Sequence, residues 1–90
     1  MSAESTMLLN MPMADAKALR MRYGDSKYGK DVRRDTSYLA EAYIEAVDIS
    51  NYYDIALTRG ELDHEQHAAL QGLLSECVLG RLRRIIARTL

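Results

Sequence analysis

From Thr36 to Arg59 the chain reads TSYLAEAYIEAVDISNYYDIALTR, an uninterrupted stretch with neither glycine nor proline. Nothing in it breaks a helix, and at ~1.5 Å per residue one helix here runs roughly 36 Å. This stretch constrains the fold most, because every other apolar segment has to pack against it or leave it bare. Stepping about 100° per residue from Glu41 at zero, Glu45 falls near +40°, Asp48 near −20°, Asn51 near −80° and Tyr52 near +20°. These groups share one stripe. Leu39, Ala42, Ile49, Tyr53 and Leu57 lie to one side of it, and Ala40, Ile44 and Val47 to the other.

The stripe reads in two ways. Glu41, Glu45 and Asp48 can be the solvated side of an amphipathic helix. They can also be a cation site, since charge set between apolar flanks is costly without a partner. Like charges at i,i+3 and i,i+4 repel by about 0.2–0.5 kcal/mol per pair. No Lys or Arg lies between Glu41 and Asp48 to relieve them, which favours the second reading.

Ninety residues form one small domain that leans on a partner or on self-association. No apolar run approaches the ~18 residues of a membrane span. The N-terminal MSAESTMLLNMPM lacks the basic region of a secretory signal, so a cytoplasmic location is expected. The single cysteine, Cys77, excludes an internal disulfide. Set among Leu73, Leu74 and Val78, it reads as a buried small hydrophobe. The net charge of −1 argues against a dedicated nucleic-acid coat, yet the charge is unevenly spread. Lys17 to Arg34 holds seven basic residues against Asp25 and Asp31, and Arg81, Arg83, Arg84 and Arg88 crowd the end.

Along the chain, residues 1–11 carry no clear period and read as a flexible N-terminal arm. Residues 12–90 read as a single all-α domain. Pro12 suits a first helical turn, Met13 to Tyr23 reads as a short helix, and Gly24 stands where a left-handed C-terminal residue is expected. Gly24 to Arg34 reads as a loop. Asp35 or Ser37 caps the central helix and Gly60 ends it. Asp63 with Gln66 forms a capping box for a last helix from about His64 to Arg88, whose face of Leu70, Leu73, Leu74, Val78, Leu82, Ile85 and Ile86 is apolar. No strand candidate occurs. The expected fold is all-α: an antiparallel helical hairpin with a short N-terminal helix, assembling as an oligomeric helical bundle, a homodimer in the simplest case.

His64-Glu65-Gln66-His67 is not the HExxH zinc pattern, because its histidines stand i,i+3 with no third ligand nearby. Gly24 and Gly29 before Lys30 have phosphate-loop spacing, but Asp31 stands where that loop needs Ser or Thr. Arg81, Arg84 and Arg88 share one stripe with Cys77 while Arg83 points elsewhere. They suit either the C-terminal helix dipole or an anionic partner. A nucleic-acid role for them is the weaker reading, as there is no helix pair with a tight turn. Of the six tyrosines, Tyr52 alone lies on the carboxylate stripe.

The segments RYGDSKYGKDVRRD and EAYIEAVDISNYY, through Arg22, Tyr23, Gly24, Asp25, Asp35, Glu41, Glu45, Asp48, Asn51 and Tyr52, resemble the phage-encoded, MazG-like branch of the all-α nucleoside triphosphate pyrophosphohydrolases. The resemblance covers roughly the middle third of the chain. It implies a Mg²⁺-dependent enzyme of a phage-infected host cytoplasm, cleaving a nucleoside triphosphate to a monophosphate and pyrophosphate. Glu45 and Asp48 would be the principal metal ligands and Glu41 a ligand or the base. Asn51 and Tyr52 would meet the substrate, and Lys27, Lys30, Arg33 and Arg34 would neutralise the triphosphate. The chain departs from that pattern at Ile44, where the family has a second Glu, and it lacks the upstream E-x-x-E pair. A non-catalytic helical interaction protein, such as a phage-type accessory factor or inhibitor that docks on a host complex, is therefore the alternative.

Overall fold

The structure, a computed structural model, describes residues 1–28 and 37–89; of residues 25–28 and 89 it describes the backbone. Every element among the described residues is helical, and none is a strand. In order they are α1 (Ala3–Leu9), α2 (Met13–Tyr28), α3 (Tyr38–Thr58), α4 (His64–Leu73), a π-helical turn (Leu74–Leu79) and α5 (Gly80–Thr89). The chain divides into two compact units, Met1–Thr36 and Ser37–Leu90.

In the first unit, the stretch without a period is helical because its ends are satisfied locally. The Ser2 hydroxyl accepts from the Ser5 amide at 3.0 Å, and the Asn10 side chain donates to the Thr6 carbonyl at 2.8 Å. Pro12 precedes α2, and its carbonyl accepts from the amides of Asp15 and Ala16. Arg20 of α2 donates to Glu4 of α1 at 2.7 Å and lies 4.8 Å over the Tyr23 ring. The expectation that Gly24 ends the helix is corrected: α2 continues to Tyr28, and Gly24 has no positive φ. Glycine in a helix costs about 1 kcal/mol relative to alanine, and no proline follows to stop the turn. The segment expected to be a loop from Gly24 is therefore helical as far as Tyr28, and its remainder lies outside the described residues.

In the second unit, α3 begins at Ser37, whose hydroxyl accepts from the Ala40 amide at 3.2 Å. It ends as expected at Gly60, with φ +79. There the Glu61 amide donates to Ala56 at 2.9 Å and the Gly60 amide to Leu57 at 3.1 Å. This paired closure needs a left-handed residue, which glycine supplies without steric cost. The capping box is also present: the Gln66 amide donates to Asp63 Oδ1 at 2.7 Å and the Asp63 amide to Gln66 Oε1 at 3.0 Å.

The packed face of α3 is Tyr43, Ala46, Ser50, Tyr53 and Leu57, all buried or half-buried, with a repeat of three and four residues. Across from it, His67, Leu70, Gln71 and Leu74 are the less exposed positions of α4 and the start of the π turn. Continued at helical spacing, that seam would reach Arg81 and Ile85. It reaches Leu79, Leu82 and Ile86 instead, one position later. The cause is the π turn, which houses one extra residue. Its signature is the bond from the Gly80 amide to the Ser75 carbonyl, five residues back. A Cβ at Gly80 would stand 3.2 Å from that same oxygen, so the tight approach suits glycine. The single helix expected from His64 to Arg88 is thus helical throughout but interrupted in register.

The core is slight. Only Ala46 (4%) and Leu74 (7%) are buried apolar residues among those described, while Ile44 and Ile55 (51% each) and Leu73 (62%) stay exposed. Cys77 is exposed as well, which corrects the expectation of a buried thiol: it falls in the π turn, away from the shifted seam.

Because the Asp63 carboxylate accepts from an otherwise orphaned amide at the start of α4, Asp63→Ala is expected to lower stability by about 1 kcal/mol. Asp63→Asn, which keeps the acceptor, should retain most of it. Urea or thermal unfolding checks this, and equal losses in both variants would exclude the cap as the cause.

Candidate functional site

The helix that carries the packed seam turns its other side outward. Glu41, Glu45, Asp48, Asn51 and Tyr52 are all exposed on α3, and none of their side chains makes a hydrogen bond or ion pair within the described chain. Glu41 lies in the first turn of α3, where the helix dipole favours a carboxylate. Glu45 and Asp48 lie deeper and have no such local reason. Next to them on the same side stand Ile44, Ile49 and Ile55, also exposed. The carboxylate stripe thus lies in a partly apolar surface and opposite the face that packs inside the unit.

Asp54, on α3 one residue beyond Tyr53, behaves differently. His67 Nε2 lies 2.8 Å from its Oδ1, and the Gln71 side-chain amide donates to the same oxygen at 3.0 Å. Gln71 also donates to the Ser50 carbonyl at 2.9 Å and accepts from the Ser50 hydroxyl at 2.9 Å. Ser50 with Asp54 and His67 with Gln71 are each spaced i,i+4, so two rungs of one helix meet two rungs of the next. These bonds, first that to His67 and then that to Gln71, hold the Asp54 carboxyl below its ordinary value of 3.8. The His64–His67 pair is accordingly split: His67 serves this network, while His64 is exposed. Sequence reasoning missed the network. Its signal was the polar i,i+4 pair within each of two otherwise apolar seams.

The arginines of α5 also divide. Arg81, Arg84 and Arg88, with Ile85 between them, line an open recess of about 330 Å³. Arg83 lines another of about 240 Å³ with Tyr43, Ile86 and Ala87. The separation of Arg83 from the other three matches the sequence expectation.

Of the expected phosphate-neutralising residues, Lys27 lies in α2 with only its backbone described. Lys30, Arg33 and Arg34 lie outside the described residues, as does Asp35. Among the described residues, no three of His, Cys, Asp and Glu gather as a metal-holding group. Glu45 and Asp48 nevertheless have the right donor chemistry for a hard ion: exposed, unpaired carboxylates one turn apart. That suffices for Mg²⁺, which typically takes one or two carboxylates and fills its shell with water and substrate oxygens. It does not make a closed protein cage. Among the described residues no helix is long and apolar enough to cross a membrane. Comparison with family models, curated proteins and solved structures gives no match.

The Asp54 network makes a pH prediction. Folding favours the ionised carboxyl, so its contribution is fully present above the ordinary value of 3.8 and is lost as pH falls through the lowered folded value. Acid unfolding followed by circular dichroism should show a shallower loss of stability between about pH 5 and 2 in Asp54→Asn than in the wild type. Identical acid limbs would mean that the carboxylate is not linked to folding.

Proposed function

We propose that this chain is a Mg²⁺-dependent nucleoside triphosphate pyrophosphohydrolase-like protein, working as a homo-oligomer in which α3 and the segment His64–Thr89 form an antiparallel hairpin. The observation that carries this reading is the division of the α3 carboxylates. Asp54 is engaged by His67 and Gln71, whereas Glu41, Glu45 and Asp48 share an exposed stripe with no partner. Structural need accounts for Asp54, and the helix dipole favours Glu41, which leaves Glu45 and Asp48 with no structural role. The sequence resemblance through Glu45, Asp48, Asn51 and Tyr52 adds the reaction class.

In this reading Glu45 and Asp48 hold the ion, which when bound supplies Lewis acidity at the phosphate oxygens. Glu41 takes a proton from the attacking water as its oxygen bonds to the α-phosphorus. The bond from that phosphorus to the bridging oxygen breaks, releasing a nucleoside monophosphate and pyrophosphate. Asn51 donates to a phosphate oxygen or to a ligand carboxylate, and Tyr52 stacks on the base. Lys27, Lys30, Arg33 and Arg34 neutralise the triphosphate. A second protomer covers the exposed Ile44, Ile49 and Ile55 and adds donors to the Glu45–Asp48 pair, as no three acidic groups gather as a metal-holding set among the described residues. A phage-infected host cytoplasm is the setting this implies.

One observation favours a second reading, a non-catalytic helical interaction protein. Among the described residues the buried apolar core is only Ala46 and Leu74, so a large part of the apolar surface is left for a partner. The two readings separate on turnover. Pyrophosphate release from a panel of canonical and modified nucleoside triphosphates is expected with Mg²⁺, and it should fall at least a hundredfold, on the order of a lost catalytic contact, in the Glu45→Ala/Asp48→Ala double variant. A folded wild-type chain that turns over none of them rules out the enzyme and leaves the interaction protein.

A further inference from the structure

The recess on α5 is not used by that reaction, and its chemistry is specific. Three guanidinium groups, from Arg81, Arg84 and Arg88, line it together with the apolar Ile85. None of the three is ion-paired within the described chain. Arg84 is held in place, since its Nε donates to the Gly80 carbonyl at 3.2 Å. Its two terminal nitrogens remain available. The helix dipole explains Arg88, the one basic residue in the last turn, but not Arg81, in the first turn of α5, or Arg84, in its middle. Nor does packing explain them, because the seam passes through Leu82 and Ile86 instead. Like-charged groups collected without a counter-ion repel unless an anion sits among them.

We propose that Arg81, Arg84 and Arg88 form a binding site for a polyphosphate anion. Guanidinium groups present planar forks of N–H donors that match phosphate oxygens and stay protonated at any physiological pH. The stripe extends seven residues along the helix, about 10 Å, which is longer than a single tetrahedral phosphate. It fits a chain of two or three phosphate groups, whether inorganic pyrophosphate or the phosphate tail of a nucleotide. The site lies on α5 and requires neither Mg²⁺ nor the carboxylates of α3, so it stands apart from the proposed hydrolysis.

Isothermal titration calorimetry on the full chain, at low ionic strength and without Mg²⁺, tests it with inorganic pyrophosphate, ATP and AMP as separate titrants. Saturable binding of pyrophosphate and ATP is expected, with AMP at least about tenfold weaker because it engages fewer arginines. ATP tighter than pyrophosphate identifies a nucleotide as the ligand; equal affinities identify the phosphate chain alone. Arg84→Gln/Arg88→Gln should weaken binding at least about tenfold, while Arg83→Gln, on the same helix but in the other recess, should leave it unchanged. Circular dichroism confirms that each variant is folded. Equal losses in Arg83→Gln and the double variant, or no saturable binding by the wild type, overturn the proposal. So does binding of a duplex oligonucleotide without binding of pyrophosphate. The same titration on Glu45→Ala/Asp48→Ala should be unaltered, so the anion site and the hydrolysis can fail independently.

Discussion

Gln71 determines how α3 lies against the helix that follows it. Its amide accepts from the Ser50 hydroxyl and donates both to the Ser50 carbonyl and to Asp54. Few side chains can meet a backbone carbonyl, a hydroxyl and a carboxylate at once. The carbonyl of a helical residue is normally engaged within its own helix, so this contact requires close approach. Ser50, and Ala46 one turn before it, are small enough to allow that. Apolar contact alone tolerates sliding by a turn, because Leu and Ile fit many holes. A polar set with matched donors and acceptors does not, since a slip would leave Gln71 and Asp54 without partners. In a unit whose buried apolar residues are Ala46 and Leu74, register depends on these bonds more than on volume.

Once that register is set, the outward groups follow. With Tyr43, Ser50 and Leu57 facing the seam, the helical period sends Glu41, Glu45 and Asp48 to the opposite side. The same logic on α5 sends Leu82 and Ile86 inward and leaves Arg81, Arg84 and Arg88 at the surface. The unit therefore carries one unpaired acidic stripe and one unpaired basic stripe, neither of which its own packing uses. Exposed isoleucines stand beside both.

Much of this was legible from local chemistry. The all-α class followed from the absence of any alternating pattern and from the unbroken stretch around α3. The Ser37 cap, the Gly60 closure and the Asp63–Gln66 box each involve residues a few positions apart, and the structure has all three. What escaped depended on neighbours distant in sequence or on a choice between near-equal local states. Gly24 could end a helix or continue it, and it continues. The Ser2 cap closes the start of α1 where no period announced a helix. His67 looked like half of a weak metal pattern until Asp54, thirteen residues earlier, was brought against it. Cys77 looked buried because its neighbours are apolar, a judgement that assumed an uninterrupted helix. The carboxylate stripe was placed on one face correctly, but sequence alone did not show that Asp54 would be partnered while its neighbours were not.

The interruption at Leu74–Leu79 has a consequence for changes of length. A π turn is how a helix absorbs an inserted residue without unravelling. Removing one residue between Leu74 and Leu79 would return the segment to an ordinary helix and leave everything after it in its present orientation. Leu82 and Ile86 would then keep the seam, and Arg81, Arg84 and Arg88 their outward stripe. The same deletion in an uninterrupted helix would turn every later residue by about 100°; here the π turn takes it up.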